Sequence, residues 1–397
     1  MSDQPAVAPE PTSASTTEAE TEEIASGLQL LPDTTSRVLV AASIATVALL
    51  PFFVSSDFWM TVLGAAGVFA LGGLGLNLLT GYAGQVSLGQ AAFVLIGAYV
   101  AAYFGVDQGW PMPLWMLAAT MSGALIGAAI GPFALRFKGN YLVVVTLALV
   151  FVTVHVLRNW ESFSGGLDGK SVSDASLWFG VDFANLTLFG KEFSRLQGIF
   201  YLTWFFVGLA TLGMANIVRT RPGRALQAIR DRDIAAEVIG VRVARNKIIV
   251  FALSSALAGM AGGLDAVRTR FLTPGVAEAE LLEGIRYVAV IVVGGIGTVT
   301  GAIVGALFLG PLPELIEQYS ETINFTVPIL DQPLLKASAT SDGVMTTAVL
   351  SEILFGVLLV VFLMFQPRGL VGMFGNARRW LAAKRRPGPT EPADAAD

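Results

Sequence analysis

Apolar residues fall in blocks of about 20 along the chain, roughly at 38–55, 59–79, 86–104, 114–135, 141–157, 199–217, 248–267, 286–316 and 346–366. A helix of that length just spans the ~30 Å hydrocarbon layer of a bilayer. Inside hydrocarbon each backbone amide must find its partner within the segment, so blocks of this kind form helices. Residues are 54% hydrophobic and only 14% charged, against roughly a quarter charged in a soluble domain, so the excess apolar surface has to face lipid. The expected fold is all-α, a polytopic transmembrane helical bundle spanning 37–372.

What lies outside the blocks excludes several classes of function. The net charge of −5 comes largely from the ends and loops, and no basic tract interleaved with aromatics points to nucleic acid. No cysteine is present, which removes disulfides, thiolate metal sites and cysteine nucleophiles. Residues 1–36 are rich in Ala, Pro, Ser, Thr and Glu, without a basic start or a long apolar run. They read as a disordered acidic tail, not as a signal peptide. Residues 373–397 read as a second tail, basic and then acidic.

Basic residues orient the bundle, because short loops rich in Lys and Arg stay in the cytoplasm. The densest such loop, 218–247, holds Arg219, Arg221, Arg224, Arg230, Arg232, Arg242, Arg245 and Lys247; a second group, Arg378, Arg379, Lys384, Arg385 and Arg386, follows the last block. With both groups inside, three passes between them leave the count one crossing short. The block 286–316 supplies it. Its 31 residues would make a helix of about 46 Å, too long for one ordinary pass, and GGIGTVTG (Gly294 to Gly301) interrupts its middle. Two short pieces meeting at a glycine break on the inner side bring the total to about ten crossings or half-crossings. Backward counting puts Arg136 and Lys138 inside, the loop 158–198 outside, and both termini in the cytoplasm. This implies a cytoplasmic (inner) membrane location.

A second interruption, TGYAGQVSLGQ from Thr80 to Gln90, lies between the second and third blocks, again on the inner side. The glycines at the breaks are Gly81, Gly84 and Gly89 in the first, and Gly294, Gly295, Gly297 and Gly301 in the second. Either run alone also suits a tight turn with close helix packing. Paired breaks in the two halves of a transporter point instead to a central pathway built from half-helices. Asn77, Gln85, Ser87 and Gln90 cluster around the first break, and Thr298 and Thr300 sit in the second. Such neutral groups either line that pathway or satisfy helix ends that the breaks expose.

The loop 218–247 carries its own helical signals. Pro222 suits a first turn, and Ala225, Leu226 and Ile229 make an apolar stripe beside Arg224 and Arg230. Asp233 is placed to cap a second short helix through Ala235, Ala236 and Glu237, which Gly240 stops. A compact helix on a charged support fits a groove on another protein or, equally, a membrane surface.

These residues carry a family resemblance. GRALQAIRDRDIAAEVIGVRVARNKIIVFALSSALAGMAGGL, from Gly223 to Leu264, is similar to the cytoplasmic loop and following helix of the permeases of branched-chain amino acid ABC importers. GLNLLTGYAGQVSLGQAAFVLIGAYVAA from Gly75, FKGNYLVVVTLALV from Phe137, SGGLDG from Ser164, VVGGIGTVTGAIVGAL from Val292 and FQPRGLVG from Phe365 resemble the same family, in the same order. The resemblance covers roughly Val38 to Gly372 and is nearest the longer, M-type member of the permease pair. It implies a second, homologous permease, two cytoplasmic ATPase subunits and an extracytoplasmic binding protein, with the lipid bilayer around them. Importers of this class carry an EAA-x-x-x-G docking pattern; Ala235, Ala236 and Gly240 match it, while Ile234 stands at the Glu position. For such a permease, neutral groups along the pathway would pass an aliphatic zwitterion without trapping it. Urea or a short amide is the alternative solute.

Other chemistries find little support. SGGLDGKS, Ser164 to Ser171, nearly matches a phosphate loop, but Ser164 replaces the first glycine and no strand precedes it. The lone histidine, His155, has no ligand candidate beside it, and Asp265, Arg268 and Arg270 read as loop anchors. Glu278, Glu280, Glu283 and Arg286 read as a solvated face of an outer loop. No catalytic constellation, metal site or cofactor site stands out. A stand-alone secondary transporter is the other class to weigh. Ion coupling usually leaves Asp, Glu or His within the membrane, and the middle of these blocks holds none.

Overall fold

The computed structural model describes residues 45–54, 56–136, 140–172, 187–188, 191–192, 194–275, 277–319, 326–327, 332–333, 335–336, 345–365 and 369–372. Both tails, the second basic group, Lys138 and much of the loop 158–198 lie outside the described residues. Beside the four-residue pieces Glu161–Ser164 and 369–372, the described α-helices are α1 (45–53), α2 (Asp57–Leu76), α3 (Gln90–Ala102), α4 (Met112–Arg136), α5 (Asn140–Asn159), α6 (Arg195–Arg219), α7 (Arg221–Asp231), α8 (Asp233–Val238), α9 (Val243–Thr269), α10 (Ala277–Gly294), α11 (Val299–Leu309), α12 (Leu312–Gln318) and α13 (Thr347–Phe365). Among the described residues, seven stretches are long and apolar enough to cross a membrane: Asp57–Tyr82, Gln90–Asp107, Met112–Phe133, Tyr141–Asn159, Arg195–Arg219, Val243–Thr269 and Val299–Gln318. Val349–Phe362 is a shorter apolar helix. The protein is an all-α, multi-pass membrane protein.

Helix α2 is the central post. Apart from Phe69, every residue from Gly64 to Leu76 is buried, which is what a helix apolar on all sides requires. Its glycines let neighbours come close. A methyl group on Gly67 would stand 2.7 Å from Thr203 Cγ2 of α6, and one on Gly75 would stand 2.6 Å from the Ser254 carbonyl of α9. Gly97 of α3, Gly123 of α4 and Gly259 and Gly262 of α9 make equally close backbone crossings. Where lipid offers no hydrophobic drive between helices, small residues of this kind are what hold them together by dispersion.

Around that core, α4 exposes Leu117, Met121 and Leu125, α5 exposes Val144, Phe151 and Val152, and α6 exposes Phe205, Leu209 and Leu212. A surface this apolar fits lipid, not water. Polar ties fasten the helices near their ends. Ser194 and Gln197 form a capping box at the start of α6, Gln197 Nε2 donates to the Pro51 carbonyl at 2.9 Å, and Trp204 Nε1 donates to the Leu63 carbonyl at 3.1 Å.

Among the described residues, only two-residue ladders make up the sheet content. Strand β1 (Lys170–Ser171) pairs antiparallel with β2 (Phe271–Leu272), with Lys170 opposite Leu272 and Ser171 opposite Phe271. The expected interruption of 286–316 is present: α10 and α11 are separated by residues 295–298. One expectation is corrected. Glu280, Glu283 and Arg286 are not in a solvated loop but in the first turns of α10, half-buried, because Arg286 pairs with Glu283 at 3.0 Å and the helix packs against α2, α3 and α11.

Candidate functional site

Both glycine breaks lie at the same end of the bundle as the basic loop, and side chains from three segments meet there. Helix α2 does not stop at Leu76; it widens into a π-helical turn, Asn77–Tyr82. Such turns leave backbone groups outside the regular ladder and occur often at functional sites. After it the chain runs without helix through Gly84, at φ +68°, to Gly89.

The second break is closed by its own backbone. Gly295 and Gly297 take φ values of +127° and +77°, which side chains other than glycine's rarely tolerate. Thr298 caps α11: its Oγ1 accepts from the Gly301 amide at 3.2 Å and donates to the Gly295 carbonyl at 2.8 Å. Gly369, near the end of the described chain, abuts the break so tightly that a methyl group there would lie 2.6 Å from Gly295 Cα.

Asn77 joins the two breaks. Fully buried, it donates from Nδ2 to the Thr298 carbonyl at 2.7 Å and accepts the Gly297 amide on Oδ1 at 2.8 Å. Gly81 lies so close to the second break that a methyl group on it would stand 2.7 Å from the Gly297 nitrogen.

Arg230, at the end of α7, reaches the same junction. Its Nη1 donates to the Gly81 carbonyl, a methyl group on Gly297 would stand 2.9 Å from that nitrogen, and one on Gly84 would stand 3.2 Å from its Cγ. Leu226 and Ile229, buried on the underside of α7, hold the helix in place for this contact.

The remaining expected pathway residues divide. Gln90 is buried and donates from Nε2 to the Gly72 carbonyl at 2.7 Å; Ser87 Oγ accepts the Gly89 amide at 3.2 Å. Ser87 thus satisfies a backbone group of the first break, and Gln90 ties the start of α3 to α2. Gln85 is also buried, yet neither its Oε1 nor its Nε2 has a partner among the described residues. Thr300 is exposed and stands apart.

The short helix α8 starts one residue earlier than expected. Arg232 is its N-cap, and Asp233 sits inside the first turn, where Oδ1 accepts the Ile234 amide at 3.0 Å and Oδ2 pairs with Lys247 at 3.5 Å. Gly240 stops the helix as expected. At φ +89° its amide donates to the Glu237 carbonyl at 3.0 Å, while the Val241 amide donates to the Ala236 carbonyl at 3.0 Å, the paired closure that left-handed glycine allows. Ala236 is buried, whereas Ala235, Glu237 and Arg224 are exposed.

Residues 58–363 match the family described as branched-chain amino acid transport system / permease component. The chain belongs to the branched-chain amino acid transport permease family. The permease is 31% identical to the high-affinity branched-chain amino acid transport system permease protein LivM of Salmonella typhimurium, over 64% of this chain and 62% of that one. To LivM of Escherichia coli it is 30% identical over 71% and 69%. LivH of Escherichia coli is 25% identical, over 70% of this chain and 92% of its own length. The permease thus spans under two thirds of the Salmonella protein. No solved structure matches. The relatives are named as transport permeases, not as enzymes.

Two features of the permease escaped the sequence reading. The exposed face of α8 is apolar, with Ile234 at 70%, Val238 at 83% and Ile239 at 74% exposure; their i, i+4, i+5 spacing was a usable signal. Thr146 of α5 accepts the Leu88 amide on Oγ1 at 3.1 Å and steadies the first break from a distant helix, a contact no local pattern announces. The phosphate-loop look-alike is also resolved. Lys170 pairs with Asp107, donates to the Phe163 carbonyl at 3.0 Å and lies over the Tyr103 ring, so its ammonium is already engaged.

Proposed function

We propose that this permease is the membrane-spanning subunit of an ABC importer that carries branched-chain amino acids into the cytoplasm across the inner membrane. In this reading it pairs with a second, homologous permease, receives solute from an extracytoplasmic binding protein, and is driven by two cytoplasmic ATPase subunits. The ATPases grip the loop 218–247 through the exposed apolar face of α8, the kind of patch that marks an interaction surface.

The observation that carries the reading is the reach of Arg230 to the Gly81 carbonyl. A movement imposed on α7 and α8 from outside the membrane pulls on the π-helical turn through one guanidinium. Through Asn77 the same pull reaches Gly297 and Thr298. The two breaks therefore move as a unit. Interfaces with two discrete packings turn such small shifts into gating. Gln85, buried with a free carboxamide, offers the neutral hydrogen-bonding group that a passing zwitterion can use and leave.

Reconstitution of the permease with its partner subunits in proteoliposomes tests this. Labelled L-leucine is expected to accumulate only with internal-side ATP and loaded binding protein. Accumulation by the lone chain on an ion gradient would overturn the importer. ATP-driven uptake of urea but not of leucine would shift the solute to the short amides.

A further inference from the structure

The end of the bundle away from the basic loop holds a half-buried group of charges to which the junction above gives no task. Helix α9 runs from Val243 beside that loop to Thr269, and brings Asp265 and Arg268 to the far end. Helix α10 adds Glu280, Glu283 and Arg286, and α12 adds Glu314. Arg268 pairs with Asp265 at 2.8 Å and with Glu314 at 3.5 Å, and Arg286 pairs with Glu283 at 3.0 Å. Four carboxylates thus face two guanidinium groups.

Glu280 is the acid left over. It has no ion pair among the described residues, and the charges of Glu283 and Asp265 bear on it. Nearby, the Tyr99 hydroxyl on α3 feels the Glu280 charge; Tyr99 is fully buried, and its oxygen has no hydrogen-bond partner among the described residues. The Oε2 atom of Glu314 is likewise buried without a partner among the described residues. Four carboxyl groups against two guanidinium groups, with two oxygens unpartnered among the described residues in a desolvated place, ask for a positively charged donor.

The donor set narrows its chemistry. Among the described residues no three His, Cys, Asp or Glu side chains are grouped so as to hold a metal ion. A primary ammonium needs only two or three acceptors, accepts irregular geometry and takes charge-assisted bonds from a carboxylate. We propose that this group is a binding site for the α-ammonium of an amino acid on its way to the central junction, with Glu280 as counter-charge and the Tyr99 hydroxyl as a further acceptor. The proposal rests on the solute named under Proposed function. The site lies at the end opposite the ATPase-facing loop, where a binding protein would release its cargo.

The test uses the complete transporter in proteoliposomes, with L-leucine as the probe and leucine moved per ATP hydrolysed as the readout. Glu280→Gln is expected to lower that ratio about tenfold, and Tyr99→Phe about threefold, as loss of a charged and of a neutral hydrogen bond predicts. Glu280→Asp is expected to recover at least about half. A Glu280→Gln transporter with the wild-type ratio overturns the site. So does a fall in uptake matched by an equal fall in ATP hydrolysis, or failure of Glu280→Asp to recover, since either outcome assigns Glu280 a bracing role. A wild-type transporter that moves no leucine strikes instead at the function itself, and takes the site down with it.

Discussion

Asn77 holds Gly297 across 220 positions of sequence, accepting its amide at 2.8 Å on the same carboxamide that donates to the Thr298 carbonyl. A carboxamide can do both at once because it carries a donor and an acceptor on one planar group. Asn77→Ala leaves a backbone amide and a carbonyl without partners and is expected to cost about 1–3 kcal/mol. Asn77→Asp keeps the acceptor but turns a carboxylate oxygen toward the Thr298 carbonyl, and is expected to cost more than Ala. Thermal unfolding of the detergent-purified protein ranks the two. Equal stability of wild type and Asn77→Ala would mean that the bridge holds nothing.

Arg230 couples the basic loop to the first break through a hydrogen bond to the Gly81 carbonyl. Arg230→Ala is expected to leave the ATPases bound but reduce leucine moved per ATP by roughly tenfold, the scale of one charge-assisted hydrogen bond. Arg230→Lys is expected to rescue little, because a guanidinium spreads its donors across a plane that an ammonium cannot match. Co-purification and uptake assays separate the two effects. Loss of ATPase binding in Arg230→Ala would relocate the residue from coupling to docking.

Docking itself is expected to depend on apolar area. Val238 and Ile239 are among the most exposed aliphatic side chains described, and fully burying one side chain of this kind contributes about 1.5–3 kcal/mol. Val238→Asp and Ile239→Asp are expected to weaken co-purification with the ATPases by about tenfold or more while the chain inserts normally. Arg224→Ala, whose side chain only touches the Arg219 carbonyl at 3.5 Å, is expected to change binding little. The reverse ranking, measured by pull-down at fixed subunit concentration, would make the grip electrostatic.

How far the sequence foretold this can be read residue by residue. Block length set the helices, since lipid forces whole turns of apolar residues, and Gly294 to Gly301 marked the second break because only glycine reaches the φ values found at Gly295 and Gly297. Gly240 was legible for the same reason. Asn77 and Thr298 were picked as polar residues near the two breaks, but their meeting was not readable, because a contact spanning 221 positions leaves no local pattern. Arg230 reads in the sequence as a residue of the ATPase-docking loop. Its reach to Gly81 depends on Leu226 and Ile229 seating α7, which is a tertiary fact. The charges of α10 were misjudged as solvated because an amphipathic first turn and an outer loop have the same composition.

Absence of cysteine makes the orientation directly testable by single introduced thiols. Asp168 is exposed in the short turn before β1, and Arg224 is exposed on α7. With the basic loop in the cytoplasm, the orientation we propose from the distribution of Lys and Arg, Asp168 faces outside and α7 inside. A membrane-impermeant maleimide is expected to label Asp168→Cys in intact cells, and Arg224→Cys only after permeabilisation. Neither site touches the junction of Asn77, Gly297 and Arg230, so both proteins are expected to retain transport. Labelling in the opposite order would invert the bundle, put α8 out of reach of any cytoplasmic ATPase, and end the importer reading however well the breaks align.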